Sequence, residues 1–418
     1  MTRSLADWLD QQQKSHPSAI DLDLTRVRSV AQRMGLLPPR YRVVTVAGTN
    51  GKGSTVAYLD ALFRGHGKRT GRFTSPHLVR YNERICIDGV EASDVDLVAA
   101  FERIEAARGA TTLTFFEYNA LAALDLFARS PVDVAVLEVG LGGRLDATNI
   151  VDADVGVVCS IGLDHVDWLG DSLEQIGREK AGIFRAGRPA VLGTAPLPDS
   201  VWSVIEQLGA QPVAPGQQYR VRTHGDTWDF DCGGVRLAGL PRPALAGEHQ
   251  VGNAATALAA VIAGDFGLRL DHASVSAALR GVRVAGRFQR MAGEVEWVLD
   301  VAHNVQAAET LRDNLRRLPR AGRTLAVCGI LGDKDLRGIT AALATEIDAW
   351  ILATLQGARA VSAQQIAAAL PPNASVLAQA GDVVEACRAA RAAARPGDRV
   401  LVFGSFLTVG PALEYLGI

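Results

Sequence analysis

Residues 43–55 hold the densest concentration of chemistry in the chain. Val43, Val44, Thr45 and Val46 favour a buried strand, Gly48, Gly51 and Gly53 then break it, and Val56 to Phe63 resumes with helical spacing. A strand, a glycine loop and a helix in that order turn successive backbone N–H groups toward one anion, with the positive end of the helix behind them. Lys52 then reaches the β- and γ-phosphates of a nucleotide, and Ser54 or Thr55 offers a hydroxyl to a magnesium ion. The spacing departs from the G-x-x-x-x-G-K-[ST] pattern, because Val46 stands where the first glycine belongs and Gly53 separates Lys52 from Ser54. The plainer reading, a glycine-rich turn with one exposed lysine, is outweighed by the flanking strand and helix.

A second concentration lies at 131–149. The apolar run Val132 to Leu137 ends on Glu138 and opens into a glycine loop. Ligands of open α/β sheets bind beyond the carboxyl ends of the strands, where the magnesium-holding acid of a nucleotide enzyme sits, and a buried structural Glu without a partner would be costly. Val155 to Ile161 repeats the design and leads to His165, which could be a metal ligand or a loop histidine satisfied by its neighbours. Ser75, His77, Arg80, Asn82, Glu83 and Arg84 crowd one loop, which could supply a metal ligand and charge neutralisation or could be ordinary surface. The aromatic stretch 111–118 could stack on a flat ring or pack the core. Lys180 falls in the last turn of a helix capped by Ser172 and ended by Gly182, a place lysines also occupy for helix-dipole reasons.

The elements that must position these groups follow from periodicity. Amphipathic helices fill residues 1–40 up to Pro38-Pro39, with Asp23 or Thr25 suited to an N-cap. Strands are expected at 70–74, 132–137, 155–161 and 189–193, and helices at 94–108, 172–183 and 254–263. From the end of the strand at 189–193 to about 245 the pattern is irregular and strand-like, and reads as a peripheral insertion. Residues 282–289 read as a linker, after which strands near 295–301, 324–330, 349–354 and 399–404 alternate with helices. Polar residues again gather at strand ends: Asp300, His303 and Asn304, then Asp333, Lys334 and Asp335, then Ser405. The fold class is therefore α/β: an N-terminal P-loop ATPase-like domain with a mostly parallel sheet over 1–283, and a smaller C-terminal Rossmann-like α/β domain over 288–418.

Composition bounds the reading. A chain of 418 residues with 48% apolar and 21% charged residues suggests a globular protein of two or three domains. Lys plus Arg (43) nearly balance Asp plus Glu (45), so no global field favours nucleic acid or an anionic membrane. Five widely spaced cysteines without a C-x-x-C pair argue against a disulfide framework or a cysteine-bound zinc, and fit a reducing compartment. The first residues carry no apolar run behind their basic residue, and no stretch supplies the ~20 apolar residues of a membrane span. A cytoplasmic protein is expected, as a monomer, since no exposed apolar repeat suggests otherwise.

The assembled pieces resemble the Mur-ligase superfamily and, within it, the bacterial bifunctional dihydrofolate synthases/folylpolyglutamate synthases. The resemblance runs over essentially the whole chain. It rests on Gly48-Thr-Asn-Gly-Lys-Gly-Ser54, Thr74-Ser-Pro-His-Leu78, Leu137-Glu-Val-Gly-Leu-Gly-Gly-Arg-Leu-Asp-Ala-Thr-Asn149, Asp164-His165, Glu179-Lys-Ala-Gly-Ile183, Gly286-Arg-Phe-Gln289, Asp300-Val-Ala-His-Asn304 and Gly404-Ser-Phe406. Each is weak alone, and the set in this order is specific. Val305 departs from the family's frequent proline, which touches only the local turn.

The resemblance implies ATP bound by Thr49, Asn50, Gly51, Lys52, Gly53, Ser54, Asn253, Arg287 and Asp300. It implies Mg²⁺ at two sites, Ser75 with Glu138 and His165 with Lys180, the lysine carboxylated to a carbamate. Lys52, Glu138, His165 and Lys180 form the implied catalytic set. Asp21, Leu22, Asp23 and Leu24, Thr114, Phe115, Phe116 and Glu117, and Leu145, Asp146 and Ala147 resemble the segments that hold dihydropteroate, while His303 and Ser405 would position L-glutamate. The implied reaction joins glutamate to dihydropteroate and to reduced folates through an acyl phosphate, with no nucleic-acid or membrane partner. A cell-wall ligase of the same superfamily usually carries a further domain before the ATP loop, and only 47 residues precede Gly48. A monofunctional folylpolyglutamate synthase is opposed only by the dihydropteroate-like segments. A non-catalytic ATP-dependent regulator would not need the metal and carboxylate set.

Overall fold

The computed structural model of the chain describes residues 3–319, 322–357 and 359–418, so Met1 and Thr2 of the N-terminal stretch considered above lie outside the described residues. The chain forms two compact units. Met1–His77, Tyr81–Ala244 and Glu248–Arg283 make the first, and Leu78–Arg80, Leu245–Gly247 and Val284–Ile418 the second.

The first unit is built on a sheet of β1 (Arg42–Ala47), β2 (Thr70–Phe73), β3 (Ile85–Ile87), β4 (Val90–Glu91), β5 (Val134–Glu138), β6 (Val155–Val158), β7 (Pro189–Leu192) and β8 (Gln211–Val213). Their order is β4-β3-β2-β5-β1-β6-β7-β8, parallel throughout except where β3 joins β2 and β4 joins β3. β1 therefore lies between β5 and β6, with Val46 opposite both Glu138 and Val157. Its near-continuous burial is that of a central parallel strand covered on both faces. The helices Leu5–Gln13 and Leu24–Arg33 start at side-chain caps, Ser4 and the expected Asp23. Their apolar faces join Phe101, Leu121 and Phe127 of the helices Asp94–Arg108 and Phe115–Arg129 in one core.

Several boundaries differ from expectation. The helix after the phosphate loop starts at Lys52, four residues before the apolar run, because Gly51 takes the left-handed conformation (φ 88°) and closes the loop, leaving Gly53 inside the first turn. The helix carrying Asn253 starts at His249 and not Ala254, since Gln250 and Val251 are buried and packing extends it beyond the alanine run.

The stretch expected to be an irregular, strand-like peripheral insertion is an ordered part of the unit, with strands where strand-like segments were read and a helix that was not foreseen. It holds the helix Asp199–Leu208, the edge strand β8, and a sheet of β9 (Tyr219–His224), β10 (Thr227–Cys232) and β11 (Val235–Pro241) in the order β11-β10-β9. All three strands pair antiparallel, β10 alternates in burial, and Tyr219, Trp228, Phe230 and Leu240 are buried on the side of the helices His249–Ala263 and His272–Gly281.

In the second unit β12 (Gln289–Met291), β13 (Glu296–Asp300), β14 (Thr324–Cys328), β15 (Ala349–Ala353), β16 (Val376–Ala380) and β17 (Arg399–Phe403) lie in the order β12-β13-β17-β14-β15-β16. Only β12 is antiparallel. Apolar clusters fill both faces of this sheet, one against the helices Val383–Ala393 and Phe406–Leu416 and the other against Val305–Arg316 and Leu336–Leu343. β12 and β16 were not expected: both are edge strands, and exposed Val376 and Leu377 carry no alternation to read. Among the described residues no helix is long and apolar enough to cross a membrane.

Trp228 is fully buried and donates its indole N–H to the Pro241 carbonyl at 2.9 Å. Trp228→Ala is expected to lower the unfolding free energy by about 3–5 kcal/mol in a urea titration, as for large aromatic deletions in cores. A loss below about 1 kcal/mol, the range of exposed substitutions, would make the three-stranded sheet an accessory after all.

Candidate active site

The phosphate loop is fixed by contacts from the end of β6. The Thr49 N–H donates to the Ser160 carbonyl at 2.8 Å, the Asn50 N–H donates to Ser160 Oγ at 3.0 Å, and the Thr49 hydroxyl accepts from the Gly162 N–H at 2.9 Å. Ser160 and Gly162 were not among the expected site residues, and their pairing with a loop more than a hundred residues away has no local signal in sequence. A Cβ on Gly51 would sit 2.7 Å from Asn253 Oδ1, and one on Gly48 3.1 Å from Cys159 Cβ, so the cradle admits only glycine. No side chain caps the helix Lys52–Gly65, whereas Ser93, Thr114 and Ser172 cap theirs. Its first-turn N–H groups are left for an anion, and the loop fits a nucleotide phosphate. Gln250 ties the loop helix to the helix of Asn253, donating to buried Ser54 at 3.3 Å and accepting from Asn253 Nδ2 at 3.2 Å.

Two lysines converge on one carbonyl. Lys52 Nζ donates to the Gly48 carbonyl at 2.9 Å and to that of Thr49 at 3.2 Å, while Lys180 Nζ donates to the same Gly48 carbonyl at 3.1 Å. Lys180 is buried, and that burial together with the Lys52 cation pushes its ammonium down to about 7, with Asp164 and Asp146 opposing. The sign follows: the folded state binds fewer protons than the unfolded chain between about 7 and the ordinary value of 10.5, so this group favours folding as pH rises through that window.

Glu138 ends β5 with 4% of its surface exposed, and the Cys159 thiol beside the loop feels the charges of Lys52, Glu138 and Lys180 together. Ser75 follows β2, whose Phe73 pairs with Leu137 of β5, so Ser75 and Glu138 leave the same end of adjacent strands. His165 takes a left-handed conformation (φ 51°) on the β6 side, its N–H donating to Asp164 at 2.9 Å. Among the described residues no three His, Cys, Asp or Glu side chains form a metal cage. The Ser75 hydroxyl and the Glu138 carboxylate, at the same end of adjacent strands, are oxygen donors of the kind that suit an oxygen-seeking cation already carrying phosphate oxygens.

The loop 75–84 is not plain surface. Tyr81, Asn82 and Arg84 are buried, Arg84 Nε donates to His77 Nδ1 at 2.7 Å, and its guanidinium lies over the Tyr81 and Phe115 rings at 5.7 and 5.5 Å. Burial and this cation push His77 down to about 4, which leaves its imidazole neutral and able to accept.

The three segments compared with dihydropteroate-holding ones all belong to the first unit. Thr114 and Glu117 form a capping box at the start of the helix Phe115–Arg129, Glu117 Oε2 accepting from the Thr114 N–H at 2.7 Å. Phe116 packs 5.8 Å from Phe73, and both Phe115 and Phe116 are half-buried. The Asp146 carboxylate is occupied within its own loop, taking the N–H groups of Gly140, Leu141 and Thr148 and the Thr148 hydroxyl at 2.7–3.0 Å. It shapes the turn that presents Leu145 and Ala147. Asp23 caps its helix, Asp21 pairs with Arg26, and Leu22 and Leu24 are half-buried beside them.

In the second unit Asp300 accepts from the Phe288 and Ala302 N–H groups, both at 2.8 Å, and burial raises its carboxyl while nearby Arg287 opposes. Phe406 stands between Arg287, 5.6 Å away, and His303, 5.9 Å away. Ser405 caps the helix Phe406–Leu416.

The Mur ligase middle domain matches residues 46–194, and the Mur ligase, glutamate ligase domain matches residues 286–406. The chain is 44% identical over 412 residues to the dihydrofolate synthase/folylpolyglutamate synthase of Escherichia coli (strain K12), covering 99% of this chain and 95% of that one. Its structure is similar to E. coli FolC in complex with DHPP and ADP (TM-score 0.94, 44% identity, 99% and 98% of the two chains). It is also similar to a bifunctional folylpolyglutamate synthase/dihydrofolate synthase with Mn, AMPPNP and L-glutamate bound (TM-score 0.92, 43% identity, 100% and 99%). The chain thus belongs to the Mur ligase family and, within it, to the dihydrofolate synthase/folylpolyglutamate synthase family.

Lys52→Ala and Glu138→Ala are each expected to lower ATP turnover by about 1,000-fold or more, as when a transition-state charge partner is lost, with circular dichroism and the unfolding midpoint little changed. A folded variant at near-normal rate would contradict the placement of that residue at the reacting phosphate.

Proposed function

We propose that this chain is an ATP-dependent ligase that joins L-glutamate to 7,8-dihydropteroate, giving dihydrofolate, and to the γ-carboxyl of reduced folates, in both cases through an acyl phosphate. The observation that carries the reading is the glycine cradle with Lys52 and Lys180 on the Gly48 carbonyl and Glu138 at the end of the adjoining strand. The similarity to family members over nearly the whole chain supports the choice of acceptor and amino acid.

An acceptor carboxylate oxygen attacks the γ-phosphorus of ATP and ADP leaves. The glutamate amine then attacks the acyl carbon, and the tetrahedral intermediate expels phosphate. The protein's task is to align these groups and offset their charge, with no covalent nucleophile of its own. The loop N–H groups from Thr49 to Ser54 and the Lys52 ammonium hold the phosphates, and Asn253 fixes the loop from behind. Arg287 and Asp300 serve the nucleotide, and His303 and Ser405 position glutamate. Asp21–Leu24, Thr114–Glu117 and Leu145–Ala147 hold the acceptor, with Asp146 acting through the turn it shapes. Mg²⁺, when bound, would supply positive charge at the γ-phosphate, held at one site by Ser75 and Glu138 and at a second by His165 and Lys180.

Lys180 enters that set as a carbamate. Its amine is neutral over much of the range above 7. A neutral amine adds CO₂ to give R–NH–COO⁻ and a proton, which turns a cation beside Lys52 into an oxygen ligand. The buried free cysteines support a reducing cytoplasmic setting, and a monomer is the proposed state.

The test is phosphate release from ATP and Mg²⁺ with dihydropteroate or a reduced folate, each with and without L-glutamate, and the products weighed by mass spectrometry. Glutamate-dependent turnover on both acceptors is expected. Turnover on reduced folate alone would leave a chain-extending enzyme, and turnover on neither would overturn the assignment.

A further inference from the structure

Arg26 is absent from the site residues above, yet it is the cation that joins two of the acceptor segments. One arm of its guanidinium, Nη1, lies 2.8 Å from Asp21 Oδ2 and 3.6 Å from Asp23 Oδ2. The other, Nη2, donates to the Asp21 carbonyl at 3.1 Å and lies 3.3 Å from Glu117 Oε1. Its side chain is 19% exposed and that of Glu117 only 3%. The second Glu117 oxygen is already committed to the Thr114 N–H, so the carboxylate links its own helix start to Arg26.

We propose that Arg26 is a positioning residue for the acceptor, clamping the segment Asp21–Leu24 to the segment Thr114–Glu117 so that the aromatic first turn of the second helix keeps its place. The proposal rests on the acceptor assignment given under the proposed function. The fork of arginine suits this task, because its two arms reach different segments at once, and a lysine ammonium is a single point that cannot span them. Glu117 also depends on it. Burial raises the Glu117 carboxyl, while the Thr114 N–H and the Arg26 charge work against that rise. Without the arginine, Glu117 is a buried carboxylate with no cation among the described residues, and a buried group left so either takes a proton or moves toward water.

Either outcome disturbs the turn that carries Phe115 and Phe116. Those rings pack on Tyr81 (6.2 Å) and Phe73 (5.8 Å), so a shift of the turn reaches the acceptor side of the unit. The phosphate loop is held by Ser160, Gly162 and Gln250, none of which touches the clamp.

The experiment compares Arg26→Met, Arg26→Lys and Arg26→Met/Glu117→Gln with the wild-type chain. Dihydropteroate binding is measured by calorimetry, and KM for dihydropteroate, ATP and L-glutamate by steady-state kinetics. For Arg26→Met, Kd and KM for dihydropteroate are expected to rise about tenfold or more, while KM for ATP and L-glutamate stays within about twofold, the pattern of lost substrate positioning. Arg26→Lys should recover little of the affinity, although its unfolding midpoint should match the wild type. Adding Glu117→Gln to Arg26→Met should cost little more, because the arginine acts through that carboxylate. Unchanged dihydropteroate affinity in the single variants, or an equal rise in all three KM values, would overturn the clamp. Wild-type binding of dihydropteroate without glutamate-dependent turnover would sink the ligase reading instead, and the binding arm would still decide the clamp.

Discussion

The carbonyl of Gly48 carries two ammonium groups, and the site is arranged around that crowding. Like charges this close in a buried place raise each other's cost, so one must give up its proton or change its chemistry. Lys52 sits at the helix start, where a phosphate would neutralise it, and keeps two carbonyl acceptors in the meantime. Lys180 comes from the end of a different helix, Leu173–Ala181, with only the Gly48 carbonyl among its described hydrogen bonds. Its ammonium is the one pushed down, by burial and the Lys52 cation, with Asp164 and Asp146 opposing, and the carbamate proposed above would replace a competing cation with an oxygen ligand.

Sheet order makes this convergence possible. Because β1 lies between β5 and β6, the phosphate loop leaves the sheet between the strand that ends in Glu138 and the strand that leads to Ser160 and His165. Chain connections then bring Lys180 back over the same carboxyl ends, and Gly143 allows that approach: a Cβ there would lie 2.8 Å from the carbonyls of Glu179 and Lys180. The site is thus a property of strand order and of a few close backbone contacts more than of any single motif.

What could be read from sequence was what is encoded locally. The buried run of β1 and the glycines after it, the caps at Asp23 and Ser172, and the carboxylate ending β5 each depend on neighbours a few residues away. The helix start at Lys52 was missed because a glycine at 53 resembles a break, while the left-handed turn was spent at Gly51. Ser160, Gln250 and Arg26 were invisible as site groups, since each acts on a segment distant in sequence. The helix Asp199–Leu208 and the short edge strands β8, β12 and β16 were lost for a related reason: their form is set by what they pack against. Asp146 shows the converse, a residue recognised by its motif whose carboxylate is consumed in holding its own turn.

The most direct measurement concerns the yielding lysine. The chain is equilibrated with ¹³C-bicarbonate near pH 8 and examined by ¹³C NMR, with wild type, Lys180→Met and Lys52→Met compared. A carbamate carbon is expected in the wild type and absent from Lys180→Met. It should persist in Lys52→Met if that variant is assayed at a pH high enough to keep the Lys180 amine neutral. A wild-type chain that shows no such carbon, and turns over at its full rate in buffer freed of CO₂, would contradict the account of two lysines meeting at Gly48 and one of them becoming a ligand.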